Sequence, residues 1–284
     1  MPDPSIGWHP HFEVWLLIAV LEGGYLLALR RLGPRHVSPG DRPASRGQIA
    51  AFTLGVLTLW VASDWPVHEL AEERLLSVHM IQHLLMSLVA PPLLLAGTPG
   101  WLLRAILRPR WLFAVIRNLA RPVPALLVFN GFIALSHWPA LVALALRYEA
   151  VHFGVHAVLV GTALLMWMPI LSPMFEIPRL RYPAQMLYLF AQSIVPTVPA
   201  SFLTFADSPL YPFYTLATPM LGFDPVVDQR ISGLIMKLLG GFILWGFIAV
   251  LFFRWNRQDE LSGSDAPVWQ DVERAMNRME AGQR

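Results

Sequence analysis

Two pairs of histidines lie in segments that are otherwise apolar. His79 and His83 belong to HMIQHLLMSLVAPPLLLAG, and His152 and His156 belong to HFGVHAVLVGTALLMW. Residues four apart lie on the same face of an α-helix, so the two rings of each pair are one turn apart. Neutral imidazole nitrogens suit zinc or copper. If the two helices face each other, the spacing predicts one metal site that both pairs share.

Other side chains could complete such a site. The thioether of Met80 lies beside the first pair and would favour Cu(I), and the chain has no cysteine to take that role. Asp64 and Asp228 could orient a histidine ring, or they could simply cap helix ends. Each histidine could instead make an ordinary hydrogen bond to a neighbouring helix. The candidates for a supporting role are Asp64, His68, Met80, His137 and Asp228.

The composition indicates a membrane protein. Apolar residues make up 55% of the 284 residues and charged residues 14%, with a mean hydropathy of +0.50. A soluble domain of this length needs more polar residues to cover its surface. The absence of cysteine excludes disulfides, thiolate metal sites and cysteine nucleophiles within the chain. A net charge of +2 without a basic run argues against nucleic acid as a partner.

Seven apolar windows suit helices that cross a bilayer, which takes about 20 residues each. They predict an all-α polytopic membrane protein, with seven transmembrane helices in residues 1–257 and a cytoplasmic amphipathic tail in residues 258–284. Between the third and fourth windows, arginines interrupt the apolar residues at helical spacing, which predicts interfacial helices. The windows are 12–30, 48–65, 76–97, 123–138, 148–171, 185–206 and 231–253.

Arginine is distributed unevenly between the two sides of this predicted bundle. Seventeen arginines fall in the loops 30–47, 98–122 and 172–184 and in the C-terminal tail, whereas the alternate segments hold only Arg74, Arg147 and Arg230. The positive-inside rule therefore predicts an external N-terminus and a cytoplasmic C-terminus. With this orientation, both histidine pairs lie within about 10 Å of the outer ends of their helices, at a rise of 1.5 Å per residue.

Five segments resemble the seven-span CtaG family of cytochrome c oxidase assembly factors, which is associated with caa-type oxidases of bacteria. The likeness extends over about residues 50–255 and is most specific in the His-Met-Ile-Gln-His and Ala-Pro-Pro run. The segments are HMIQHLLMSLVAPPLLLAGTP, SHWPAL, HFGVHAVLVGTALLMWMPIL, LYLFAQSIVPTVPASFLTFADSPLYPFY and DQRISGLIM. The resemblance implies a non-enzymatic factor of the bacterial cytoplasmic membrane that matures a haem–copper oxidase of the respiratory chain, with an oxidase subunit as its partner and copper as its cargo.

Two other functions are compatible with the residues. An intramembrane zinc hydrolase would use three histidines around zinc with Asp64, Ser77 or Ser136 nearby. A haem protein would use one histidine from each pair as an axial ligand, although this leaves the doubling of each pair unexplained. The sequence leaves the oligomeric state open, including a homo-oligomer.

Overall fold

The structure, a computed structural model, describes residues 11–264 together with Arg274, Arg278 and Met279. This part of the chain consists of helices and connecting loops and contains no strand. The predicted all-α polytopic fold is confirmed.

Fifteen α-helices follow one another along the described chain. The first eight are α1 Phe12–Arg31, α2 Arg46–Ser63, α3 Val67–Glu73, α4 Leu76–Leu84, α5 Ala90–Gly97, α6 Gly100–Ile106, α7 Arg110–Leu119 and α8 Pro122–Ser136. The other seven are α9 Pro139–Arg147, α10 Glu149–Leu171, α11 Tyr182–Ile194, α12 Thr197–Phe205, α13 Pro212–Ala217, α14 Pro225–Leu234 and α15 Gly240–Ser264. Two π-helical turns, Leu85–Val89 and Ile235–Leu239, join α4 to α5 and α14 to α15.

Five helical segments are long and apolar enough to cross a membrane. They are Phe12–Arg31, Leu76–Gly97, Glu149–Leu171, Tyr182–Phe205 and Pro225–Leu261. Two bent pairs of helices bring the number to as many as seven. The pair α2 and α3 bends by 44°, and the pair α7 and α8 bends by 83°. The predicted count of seven stays a prediction, because neither α2 nor α8 is by itself both long and apolar enough to cross a membrane.

Short helices occur where the sequence predicts interfacial ones. α6 and α7 follow the third span. In α7, arginines alternate with apolar side chains, which is the pattern that predicts an interfacial helix. The fourth window is a helix of only 15 residues, and the 9-residue α9 follows it at once. The sixth window is divided into α11 and α12 beside Pro196, because proline removes a backbone donor and crowds the preceding turn.

The third span crosses Pro91 and Pro92 without ending. The π turn over Leu85–Val89 comes just before them, and the carbonyl of Ser87 accepts a hydrogen bond from Nε1 of Trp167 on α10 at 3.0 Å. In an α or a π register this carbonyl would pair with residue 91 or 92, and neither proline has an N–H. A side chain of α10 thus replaces the missing backbone donor and fixes α10 against the third span.

The main core is formed by side chains of the third, fifth, sixth and seventh spans together with α2 and α8, and α2 packs closely against α5. A Cβ on Gly97 would overlap the backbone of Phe52, and a Cβ on Gly55 would lie 2.9 Å from Leu94. Small residues at these positions let the two helices approach at backbone distance, as is usual where helices associate inside a membrane. Tyr25 ties α1 to the same place by donating to the carbonyl of Gly97 at 2.9 Å.

The last helix continues past the predicted domain boundary at residue 257. α15 extends to Ser264, so the first residues of the predicted tail belong to it. The rest of the tail, where the amphipathic helix is predicted, lies almost entirely outside the described residues.

Candidate metal centre

The two predicted histidine pairs face each other near the N-terminal ends of the third and fifth spans. α4 carries His79 and His83, and α10 carries His152 and His156. Nε2 of His156 lies 3.3 Å from Nε2 of His83 and 3.2 Å from Nε2 of His152. The ring centroids of His79 and His156 are 5.8 Å apart. The structure thus brings the four predicted ligands into one cluster with His156 at its centre.

These separations suit ligands of a common ion. Nitrogens at about 2.0–2.1 Å from a tetrahedral metal lie about 3.3–3.4 Å from one another. Two sets of three residues each place their ligand atoms within 4.8 Å of one another. One set is His79, His83 and His156, and the other is Glu72, His152 and His156. Because both sets contain His156, an ion bound in one set already shares a ligand with the other.

Glu72, on α3, joins the cluster although the sequence analysis did not single it out. Its Oε2 lies 2.8 Å from Nδ1 of His152, and its Oε1 lies 2.9 Å from Nδ1 of His68. A carboxylate oxygen only accepts hydrogen bonds, so Nδ1 of His152 carries the proton and Nε2 keeps its lone pair. Proteins commonly orient a metal-binding imidazole in this way. The four-residue spacing from His68 to Glu72 was the available signal.

His137 is held differently. It follows the last residue of α8, and its Nδ1 donates to the backbone carbonyl of Ile133 at 2.7 Å. Its Nε2 is buried and has no hydrogen-bond partner among the described residues. The ring centroids of His137 and His83 are 5.9 Å apart. His137 therefore lies beside the cluster with the free nitrogen in the form that binds a metal.

The other predicted supporting residues occupy three different environments. Met80 is buried with only 3% of its surface exposed. Asp64 accepts hydrogen bonds from Nε1 of Trp15 at 2.7 Å and from Nε1 of Trp60 at 2.6 Å. Asp228 accepts from the backbone N–H of Leu76 at 2.8 Å and from the hydroxyl of Ser77 at 2.5 Å. Among the described residues, these contacts of Asp64 are with tryptophans and those of Asp228 are with the start of a helix, and none of them reaches a histidine of the cluster.

The contact of Asp228 positions the helix that bears the first histidine pair. α4 begins at Leu76 without a capping side chain from its own N-terminal residue. The first N–H groups of a helix lack partners inside the helix, and an anion there is favourable. The carboxylate of Asp228, from α14, supplies this acceptor across 152 residues of sequence. The seventh span thus fixes where the helix of His79 and His83 starts.

The cluster is enclosed. A cavity of about 20 Å³ is lined by the four histidines together with Ser136 and Tyr214, and this volume is enough for one small occupant. Tyr214 donates to the carbonyl of Ala71 at 2.8 Å, and burial raises its pKa well above the ordinary value. Its hydroxyl therefore stays neutral, and its hydrogen bond to Ala71 holds α13 against α3. Beyond this layer, Nε2 of His11 lies 3.1 Å from the buried carboxylate of Glu69.

In the described part of the chain, two buried ring nitrogens of the cluster lack a hydrogen-bond partner, and they are not the Nε2 atoms that lie 3.2 and 3.3 Å apart. Nδ1 of His79 and Nδ1 of His83 are buried and have no hydrogen-bond partner among the described residues. A structural histidine inside a membrane normally pairs its polar atoms with a neighbour, because an unpaired one is costly there. Helices that cross the membrane and enclose a buried group of histidines with one carboxylate define a polytopic membrane protein with a candidate metal centre.

The comparison with known families places the chain more narrowly. Residues 23–258 match the family of cytochrome c oxidase caa3 assembly factors, Caa3_CtaG, and the chain belongs to this family. The predicted family is confirmed. Neither a curated protein nor a solved structure matches the chain.

Proposed function

We propose that the protein binds copper in the histidine cluster and passes it to a subunit of a haem–copper oxidase during assembly. The observation that carries this proposal is the enclosed group of four imidazoles, with nitrogens 3.2 and 3.3 Å apart around His156. Membership of the assembly-factor family supports the choice of partner. The role is that of a chaperone and not of an enzyme.

The donor set favours copper over harder cations. Imidazole suits copper and zinc, while magnesium, calcium and manganese prefer oxygen ligands. Glu72 is the one carboxylate in the two ligand sets, and the other members are histidines. The shared position of His156 also suits a carrier, because an ion can change ligands without leaving the protein. A zinc ion in the same cluster would instead favour the intramembrane hydrolase.

We also propose that the chain resides in a bacterial cytoplasmic membrane, crosses it seven times and has its C-terminus in the cytoplasm. The seventeen arginines of one set of loops and the tail support this orientation. The cluster then lies in the outer half of the membrane. An ion would enter and leave on the external side.

The metal content of three variants tests the copper proposal. His156→Ala removes a ligand from both sets, so it should lose most of the bound metal, while His83→Ala breaks one set only. The double variant should lose little more than His156→Ala alone, because ligands of one site are strongly non-additive. Copper and zinc are measured by elemental analysis of the full chain in mild detergent, with an absorption spectrum to detect haem.

His36→Ala is the matched control, because His36 is exposed and far along the chain from the cluster. It should retain the wild-type metal content. Wild-type metal in His156→Ala would defeat the shared site and leave the histidines as structural residues. Loss of zinc in the same pattern would support the shared site but would favour the zinc hydrolase over the copper chaperone. A haem spectrum that disappears with His156 would replace copper by haem.

A further inference from the structure

A second cavity adjoins the histidine cluster on the side that leads deeper into the bundle. Its volume is about 50 Å³, against about 20 Å³ for the cavity inside the cluster. His83 lines both cavities. The second cavity extends along the third span from Met80 to Leu88, five residues or about one and a half turns beyond His83. His83 is thus a common wall between two compartments.

The donor atoms change in character from one cavity to the other. Three methionines line the second cavity, and each is buried: Met80 is 3% exposed, Met166 is 0% exposed and Met236 is 8% exposed. The first cavity has four histidines and no methionine in its wall. Thioether sulfur is a soft, neutral ligand that selects Cu(I), whereas imidazole also accepts divalent zinc and copper.

His137 adds a nitrogen ligand to the methionine-lined cavity. Its Nδ1–H donates to Ile133, so Nε2 is deprotonated and carries the lone pair. Nε2 is buried and unpaired among the described residues, and the residue is 9% exposed. A carbonyl acceptor on one ring nitrogen is the arrangement that prepares the other for a metal. Burial of this atom without a partner is otherwise unfavourable.

The charge in the wall of the second cavity also favours a monovalent ion. Lys237 lines the cavity, and no carboxylate does so among the residues that the structure describes there. A cationic side chain repels a divalent ion about twice as strongly as a monovalent one, because the Coulomb energy scales with the product of the charges. Neutral sulfur and nitrogen ligands do not offset a second positive charge.

We propose that Met80, Met166, Met236 and His137 form a second metal site, specific for a soft monovalent ion such as Cu(I). It lies next to the histidine cluster and shares His83 with it. The ion, as Cu(I) throughout, would move from the carboxylate and histidine ligands around Glu72, through His83, to sulfur ligands deeper in the bundle. This inference rests on the proposed copper function for the identity of the cargo, but the site itself follows from the second cavity.

Silver(I), which does not change its oxidation state, serves as the probe for the soft site. The triple variant Met80→Leu, Met166→Leu and Met236→Leu keeps the apolar volume and removes the sulfurs. The control variant Met86→Leu, Met168→Leu and Met174→Leu changes three other methionines, each 3% exposed and outside the cavity. Silver bound to the full chain in detergent is counted after desalting. The cavity variant should lose one silver ion per chain, and the control should lose none.

Zinc added to the same samples, as a redox-stable probe of the histidine cluster and not as its proposed cargo, separates this inference from the proposed function. Zinc should be unchanged in both triple variants, because the histidine cluster is intact in each. If silver is lost in the cavity variant while the wild type binds no divalent ion, the methionine site stands and the histidine proposal fails. Equal silver in the two triple variants would overturn the methionine site, whatever the zinc content.

X-ray absorption of the silver-loaded wild type covers the case in which the cavity variant does not fold. Sulfur neighbours in the spectrum would support the methionine site. A first coordination shell of nitrogen and oxygen alone would overturn it.

Discussion

Glu72 contacts two imidazoles at once, one through each carboxylate oxygen. Its contacts with His152 and His68 are 2.8 and 2.9 Å long. An amide of the same size has one acceptor oxygen and a donating NH₂ group, so it cannot place an acceptor beside both Nδ1 atoms. The other imidazole would rotate or change its tautomer.

Glu72→Gln should therefore weaken metal binding at the cluster by about 10–100-fold, the usual cost of losing a group that orients a metal-binding histidine. A competition titration of the purified protein with a chelator of known affinity measures the change. Glu73→Gln is the control, since Glu73 is the exposed neighbour on the same helix. Equal affinities in the two variants would contradict the orienting role of Glu72.

The candidate site was only partly predictable from residue types and spacing. The four-residue spacing of His79 with His83, and of His152 with His156, predicts two rings on one face of each helix. It does not predict how far each helix is rotated about its axis, and this rotation places His156 at the centre. Glu72 was missed because its segment is not apolar, so nothing in the sequence indicated that its carboxylate would be buried.

At the scale of helices, the third span depends on α10 for a hydrogen bond that its own backbone cannot make. Trp167→Phe keeps an aromatic ring but removes the donor to Ser87. The buried carbonyl would then have no partner, which costs about 1–3 kcal/mol. We expect the free energy of unfolding in detergent to fall by this amount, as measured by thermal or denaturant unfolding. Trp245→Phe, at a position 51% exposed, is the control and should change little.

The helix boundaries were predicted well where apolar runs are uninterrupted. The first, third and fifth windows correspond to Phe12–Arg31, Leu76–Gly97 and Glu149–Leu171. The bends were harder, because a proline can end a helix or be accommodated by its neighbours. Pro196 divides the sixth window, whereas Pro91 is accommodated within its helix. The difference lies in the hydrogen bond that Trp167, which is distant in sequence, donates beside Pro91.

At the scale of the whole molecule, the orientation in the membrane is open to a direct test. Reporter fusions after residue 284 and near Pro209 should report opposite sides, because one predicted span, the seventh, lies between the 207–230 loop and the C-terminus. A phosphatase that is active only outside and a fluorescent protein that folds only inside make the comparison. The same side for both sites would refute the seven-span arrangement and the depth of the cluster.

The proposed role in oxidase assembly predicts a specific defect. A strain without the gene should synthesise the oxidase subunits but have reduced haem–copper oxidase activity, most clearly under copper limitation. The wild-type gene should restore the activity, and a gene that encodes His156→Ala should not, since that variant lacks the ligand common to both sets. Oxygen consumption with a reduced cytochrome c donor and immunoblots of the subunits measure the two quantities. Full activity without the gene would count against the role.

The cap on α4 has a consequence for biosynthesis. Its acceptor, Asp228, is translated 152 residues after Leu76, the donor at the start of the helix. Until the last span has left the ribosome and entered the membrane, the end of the helix that bears His79 has free N–H groups. A nascent chain therefore carries all nine histidines before the start of α4 has this acceptor. The start of α4 is therefore fixed only after the chain has been synthesised through its last span.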